Sequence, residues 1–299
     1  MTVIEMRRRE VVAILGGAVG AWPLAAGAQQ KAMPVIGILG AVSPEVRGVQ
    51  LNLAAFREGL AKMGFVEGQN VLVEYRWAER HFDRLPALAA DLVGRKVDVI
   101  VTEGGDSTTF AAKRATSTIP VVFHSSSDPV ALGIVASLAR PGGNLTGVSL
   151  QISELLPKLF ELFLELVPKA KLIGLLRDPN MTLDMRDIAA ARNVGVQVLP
   201  AVTESEIDEA FAALVQLPLD GVIAYTLTRA RIAALASRHS LPAVSYARDF
   251  PENGGLLGYG PSLPDAYRIK GTYTGRILKG EKAADMPGSS RRNSSSSST

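Results

Sequence analysis

The feature that most limits how this chain can fold is the alternation of short apolar runs with amphipathic segments from Val35 to Leu278. Val35–Gly40 (VIGILG) is continuously apolar, as a strand buried on both faces requires. Glu45–Met63 places Leu53, Phe56, Leu60 and Met63 at helical spacing and is followed by Gly64, a residue suited to the left-handed position past a helix end. The order continues with strand Val71–Trp77, helix Asp83–Val93, strand Val97–Thr102, helix Thr108–Ala115, strand Pro120–His124, helix Pro129–Leu138 and strand Leu145–Leu150. A longer helix is expected over Glu154–Val167, with Ser153 as its N-cap. The pattern then restarts: strand Leu172–Leu176, helix Leu183–Asn193, strand Val196–Val202 and helix Ile207–Gln216, opened by a capping box at Thr203–Glu206. Strand Gly221–Tyr225, helix Arg231–His239, strands Ala243–Tyr246 and Gly254–Tyr259 and helix Asp265–Leu278 complete it.

Strands separated by helices imply right-handed crossovers, and therefore parallel sheets with helices on both faces. There are too many strands here for one ordinary sheet, and the long segment at Ser153–Val167 divides them. The expected fold is α/β, with two doubly wound lobes. Composition agrees with a globular protein: 47% of the 299 residues are hydrophobic and 20% charged. The net charge of +3 comes from basic residues spread along the chain, so no nucleic-acid partner is expected. The absence of cysteine excludes disulfides, thiol nucleophiles, zinc–thiolate sites and a lipid anchor on Cys.

The first 28 residues have the order of an export signal. Arg7, Arg8 and Arg9 precede an uncharged stretch, Val11–Ala21, and Ala26-Gly27-Ala28 precedes Gln29. The apolar run falls short of the roughly 20 residues a membrane span needs. A signal peptide over residues 1–28, cleaved near Ala28, is expected. Arg8-Arg9-Glu10-Val11-Val12 leaves both general and twin-arginine export open.

In open α/β sheets ligands bind beyond the carboxyl ends of the strands, where loops enter helix N-termini. Those loops carry Ser43, Asp106, Ser107, Thr108, Ser126, Ser127 and Asp128 in the first half, and Asn180, Tyr225 and Asp249 in the second. Helix N-termini suit anions, so an anionic ligand end is expected at Ser107-Thr108 and Ser126-Ser127. Asp106, Asp128 and Asp249 suit an ammonium, and Tyr225 and Tyr246 an apolar body. The same hydroxyls and carboxylates also serve as helix caps, and the tyrosines as core. No phosphate-binding glycine loop, nucleophile elbow or metal-ligand histidine spacing is present, so no cofactor or metal is expected. An exported α/β enzyme would need an activated nucleophile or an acid–base pair, and neither is grouped in the sequence.

Nine segments in order resemble one family: MRRRE at Met6–Glu10, WPLAA at Trp22–Ala26, FVEGQNV at Phe65–Val71, EYRWA at Glu74–Ala78, RLPALA at Arg84–Ala89, SDPV at Ser127–Val130, RPGGNLTG at Arg140–Gly147, GGLLGYG at Gly254–Gly260 and GRILKGEK at Gly275–Lys282. They resemble the ABC-transporter substrate-binding proteins of the tryptophan/tyrosine type. The resemblance implies a type I periplasmic binding protein: two Rossmann-like lobes with parallel sheets joined by a hinge. A small ligand, in some members an aromatic amino acid, would be captured between the lobes and passed to the membrane subunits of an ABC permease. It implies a periplasmic monomer that is not an enzyme. The first lobe would comprise residues 31–150 plus 254–287, and the second 151–253. Three departures stand out against the family: a short Thr226–Ala230 link, a short Asp178–Met185 loop, and a Ser-rich tail over 288–299. The tail is expected to be disordered and resembles a truncated or frameshifted end, which makes a non-functional family member a further alternative.

Overall fold

A computed structural model describes residues 33–179, 185–226, 228–290 and, for the backbone alone, 296–298. The expected signal peptide and Asn180 lie outside the described residues.

The first lobe is built from β1 (Val35–Gly40), α1 (Arg47–Lys62), β2 (Leu72–Trp77), α2 (Leu85–Gly94), β3 (Val99–Glu103), α3 (Asp106–Ala115), β4 (Val121–Ser125) and β5 (Leu145–Ser149). The second contains α4 (Ile152–Leu166), β6 (Leu172–Arg177), α5 (Arg186–Ala190), β7 (Gly195–Pro200), α6 (Glu204–Leu214), β8 (Gly221–Tyr225), α7 (Arg229–Arg238), β9 (Ala243–Ser245) and β10 (Leu257–Tyr259). The chain ends with α8 (Leu263–Leu278), β11 (Ser289–Ser290) and β12 (Ser296–Ser298). Strand order is β11-β5-β4-β3-β1-β2 in one six-stranded sheet and β12-β10-β9-β8-β6-β7 in the other. All pairings are parallel except β10 with β12. Each sheet therefore repeats a doubly wound order, which puts a topological switch point between its first and third strands.

Local signals explain most element ends. Gly64 has φ +86. Its N–H reaches the Ala61 carbonyl at 2.8 Å, and that of Phe65 reaches Leu60 at 3.2 Å, which together close α1 in a Schellman motif. At α6 the capping box forms: Thr203 Oγ1 accepts from the Glu206 N–H at 3.2 Å, and Glu206 Oε2 accepts from the Thr203 N–H at 2.9 Å.

Four expectations need correction. Pro129–Leu138 forms turns, not a helix. The carbonyl of Pro129 takes the Ile134 N–H at 2.8 Å, and Gly133 turns left-handed at φ +67. Ser153 lies inside α4, whose cap position is Gln151 at φ +50 with no side-chain cap bond. The Ser126 carbonyl instead accepts the Ile152 N–H at 2.7 Å.

The strand expected at Gly254–Tyr259 belongs to the second sheet, since β10 pairs with β9. The chain returns to the first lobe only after Tyr259, where α8 packs on α1. A Cβ on Gly59 would fall 2.0 Å from the Arg268 carbonyl oxygen, and one on Gly271 2.1 Å from that of Phe56. Only glycines permit this approach, and it fixes α8 against the first lobe.

The Ser-rich tail also differs from expectation. Ser289–Ser290 pairs with β5, and Ser296–Ser298 pairs with β10. Both β5 and β10 would otherwise present open edges, and edge pairing needs only main-chain donors and acceptors. A reading based on side-chain burial misses this contribution.

The chain thus passes between the sheets at Ser149–Ile152 and at Tyr259–Leu263, and its last two strands, β11 and β12, lie in different sheets. Ser290 Oγ donates to Gln151 Oε1 at 3.1 Å, tying the first passage to β11. One apolar cluster underlies the passages: Val148 and Leu150 from the first lobe pack with Leu156, Phe160 and Phe163 of α4 and with Leu263 and Ala266 of α8.

Candidate functional site

The carboxyl ends of the two sheets face each other. At the first switch point, Gly104 and Gly105 take φ +99 and +90, and a Cβ on Gly104 would lie 2.4 Å from that of Ala41. This turn delivers Asp106 to the first residue of α3. Its Oδ1 accepts from Ser125 Oγ at 2.6 Å. Burial raises the Asp106 pKa, opposed by the bonds from Ser125 and the Ser126 N–H. Ser125 Oγ also reaches the Ser127 carbonyl at 2.9 Å, so Asp106, Ser125, Ser126 and Ser127 form one cluster.

That cluster changes what the first lobe offers a ligand. The N-terminus of α3 already holds the Asp106 carboxylate, which opposes the expected docking of an anion there. Thr108 is fully buried, and its hydroxyl donates to the Gly105 carbonyl at 2.8 Å. It does not present a free hydroxyl to the cleft. Ser107 is half-buried in the first turn of the helix. Ser43 Oγ accepts from the Glu45 N–H at 3.4 Å. Asp128 Oδ1 accepts from the Val130 N–H at 2.8 Å, stabilising the turn that stands where a helix was expected.

Across the cleft, the rings of Tyr225 and Tyr246 lie 4.9 Å apart at a 58° tilt. Both are buried at the carboxyl ends of β8 and β9. Burial first, then Tyr246 and the first-lobe Asp106, raise the Tyr225 pKa. The Asp106 carboxylate is therefore an electrostatic neighbour of a second-lobe tyrosine.

Two further groups were missed by reasoning from sequence. Arg80, which follows β2 with φ +70, donates through Nη2 to the Val202 carbonyl in the second lobe at 2.6 Å. Its Nη1 lies 3.5 Å from Asp178 Oδ2. Thr228 Oγ1 donates to the same Val202 carbonyl at 2.9 Å. Arg229, at the first position of α7, is 6% exposed. Its Nε and Nη2 bind Asp249 Oδ1 at 3.0 and 2.8 Å, and Nη2 binds Oδ2 at 2.7 Å. Nη1 is buried and has no hydrogen-bond partner among the described residues. Leaving a buried donor unpaired costs about 1–3 kcal/mol. Arg229 and Asp249 line a cavity of about 500 Å³ with Leu51 of α1 and Ser262, Leu263 and Pro264 of the second passage.

Behind β3 and β4 lies a buried polar cluster. Lys270 of α8 is 0% exposed. Its Nζ donates to the Thr102 carbonyl, stands 3.3 Å from His124 Nδ1 and lies 3.9 Å from the centre of the Tyr267 ring. The Tyr267 hydroxyl donates to Glu103 Oε1 at 3.1 Å, while Glu103 Oε2 has no hydrogen-bond partner among the described residues. Burial raises the Glu103 pKa and lowers that of Lys270, and each partner's charge resists the other's shift. Burial, with Lys270 beside it, holds His124 well below its ordinary range. His124 thus belongs to the interior of the first lobe. Among the described residues no cluster of His, Cys, Asp and Glu is suited to a metal ion. No described helix is long and apolar enough to cross a membrane.

Two six-stranded, doubly wound sheets joined by hinge passages give the two-lobed fold of the type I periplasmic binding proteins. Residues 36–297 match the family described as ABC transporter substrate binding protein, and the chain belongs to that family. The match runs through most of the Ser-rich tail. The chain is 27% identical over 244 residues to a tyrosine-binding protein of Clostridioides difficile (strain R20291), covering 78% of this chain and 69% of that one. Its fold is similar to a conserved domain protein from Vibrio cholerae, with TM-score 0.73, 22% identity and coverage of 89% and 92% of the two chains. It is also similar to an ABC domain in complex with L-Trp from Streptococcus pneumoniae, with TM-score 0.71, 22% identity and coverage of 88% and 90%. Members of the family bind small ligands and work with ABC permeases, and they are typically extracellular or periplasmic.

Proposed function

We propose that this protein captures an amino acid in the periplasm and presents it to the membrane subunits of an ABC importer. The observation that carries the reading is the pair of bonds from Arg80 to Val202 and Asp178, which join the two lobes. A protein that works by closing on its ligand needs such contacts between lobes. Amino acids are favoured by the tyrosine-binding and L-Trp-bound relatives. They are also favoured by the polar groups of the loops after the strands: Asp106 would meet an ammonium, Ser43, Ser107, Ser126 and Ser127 would supply hydroxyls, and Tyr225 and Asp249 would close the opposite side. The protein acts as a monomer and is exported with cleavage near Ala28.

Calorimetric titration of the mature protein with the standard L-amino acids tests this. One or a few should bind with 1:1 stoichiometry and with a negative heat-capacity change from apolar burial. Binding of none of them, or chemical turnover of a bound solute, would overturn the reading.

A further inference from the structure

We propose that the Ser125-Ser126 dipeptide couples events at Asp106 to movement of the lobes, with Ser125 as the positioning residue that fixes the dipeptide. This rests on the solute-binding reading above and goes beyond it, because it assigns the link between the first-lobe loops and the hinge, whatever the solute.

The first passage between the sheets carries the argument. Gln151 lies within it at φ +50, a left-handed backbone that a non-glycine residue keeps only where its surroundings impose it. Bonds on both sides of Gln151 do so. The Leu150 N–H reaches the Ser125 carbonyl at 2.8 Å, and the Ile152 N–H reaches the Ser126 carbonyl at 2.7 Å. Consecutive carbonyls of one first-lobe dipeptide therefore hold both flanks of a strained hinge residue.

The cap of α4 is the second observation. This fifteen-residue helix, the first of the second lobe, has no side-chain cap. The Ser126 carbonyl accepts from its Ile152 N–H and, at 3.4 Å, from its Ser153 N–H, so the helix start is satisfied from the other lobe. In contrast, α8 after the second passage is capped by its own Ser262, whose Oγ accepts the Asp265 N–H at 3.2 Å.

Third, Asp106 holds the dipeptide. Ser125 is fully buried at the end of β4, and its Oγ donates to Asp106 Oδ1 at 2.6 Å, with the Ser127 carbonyl as a second acceptor at 2.9 Å. The Ser126 N–H bonds to the same carboxylate. Hydrogen bonds to a charged acceptor are roughly twice as strong as neutral ones. A solute donor that engages Asp106 competes with Ser125 and Ser126 for this carboxylate. The dipeptide then shifts, and its carbonyls move with Leu150 and Ile152 attached.

The test is read first without any solute. Spin labels at Glu79→Cys and Ser205→Cys, exposed positions of opposite lobes, report the interlobe distance by pulsed electron spin resonance. The labelled protein is compared with its Ser125→Ala, Ser125→Thr, Asp106→Asn and Ser125→Ala/Asp106→Asn variants. Ser125→Ala should widen the solute-free distance distribution, and Ser125→Thr, which keeps the hydroxyl, should restore it. Asp106→Asn should act in the same direction. The double variant should go no further than the larger single change, because both act through one contact. A serine with a structural role alone would lower the melting midpoint and leave the distances unchanged. L-tyrosine and L-tryptophan are then added: either one that binds should bind Ser125→Ala about tenfold more weakly. Solute-free distributions that coincide in all variants, or changes that add in the double variant, would overturn the coupling even where both amino acids bind normally. Should Ser125→Ala not fold, Asp106→Asn decides alone, and unchanged distances in it would overturn the proposal. Failure of both amino acids to bind would count against the amino-acid reading, while the solute-free distances still decide the coupling.

Discussion

Arg80 of the first lobe and Val202 of the second are joined by a 2.6 Å hydrogen bond from guanidinium to carbonyl, and Thr228 donates to the same oxygen at 2.9 Å. The second lobe thus supplies an acceptor that its own Thr228 already orients. Burial lowers the Arg80 pKa, and Asp178 and Glu206 oppose that shift. Replacing Arg80 with Ala should weaken the closed state and reduce ligand affinity about tenfold, mainly through faster release. Stopped-flow fluorescence of the buried tyrosines would measure this; an unchanged release rate would show that the contact does not stabilise closure.

The Glu103–Lys270 pair gives a stability prediction. The two groups are fully buried and each resists the other's burial-driven pKa shift. Lys270→Met should destabilise the fold, because Glu103 loses the cation opposing its desolvation and the Thr102 carbonyl loses its donor. Adding Glu103→Gln should recover a substantial part, since the Tyr267 hydroxyl can still donate to the amide oxygen. Chemical denaturation of the two single variants and the double variant measures the coupling. Additive losses would mean that the two groups do not interact.

The same cluster sets opposing pH dependences. Burial raises Glu103 from 4.5 to about 7, so the folded state holds its proton more tightly than the unfolded chain. This contribution is complete below 4.5 and declines as pH rises. His124 is depressed below its ordinary 6.5 by burial and by Lys270, so its contribution is complete above 6.5 and is lost as pH falls. Between about 4.5 and 6.5 the two slopes oppose each other. His124→Gln should remove one of them, so that stability relative to wild type falls as pH rises, by up to about 1.4 kcal/mol per pH unit. Parallel stability curves for the two proteins would contradict this.

Most of the fold was legible because strands such as Val35–Gly40 and Gly221–Tyr225 are apolar throughout, and because Thr203–Glu206 is a local signal that completes itself. Pro129–Leu138 misled because its apolar residues fit a helix while Gly133 and the Asp128 turn govern the backbone. The tail misled for a different reason: its pairing is main-chain and edge-directed, which serine side chains do not advertise. In the candidate site, loop position alone singled out Asp106, Tyr225 and Asp249. Arg229 was passed over because its meaning lies in Asp249, twenty residues away, although an arginine opening a helix was a visible anomaly. Lys270 had a clearer signal. It sits on the stripe formed by Leu263, Ala266, Tyr267 and Thr274, and a lysine inside a buried stripe requires a partner.

The Gln151–Ser290 bond predicts a structural role for the tail. Removal of residues 289–299 should expose the β5 and β10 edges, remove the Gln151–Ser290 bond and lower the thermal midpoint by several degrees. Differential scanning calorimetry of the shortened protein measures this. An unchanged midpoint would show that the tail strands add nothing to the hinge.

The central claim, that the lobes close on a ligand, is tested most directly by an interlobe distance. The chain contains no cysteine, so Glu79→Cys and Ser205→Cys supply the labelling sites. These exposed positions flank the Arg80–Val202 contact from opposite lobes. Pulsed electron spin resonance on the doubly spin-labelled protein should give a broad or two-part distance distribution without ligand. Saturation with the amino acid that binds in the calorimetric titration should collapse it to a single short distance. A distribution that does not change at saturation would contradict capture by closure.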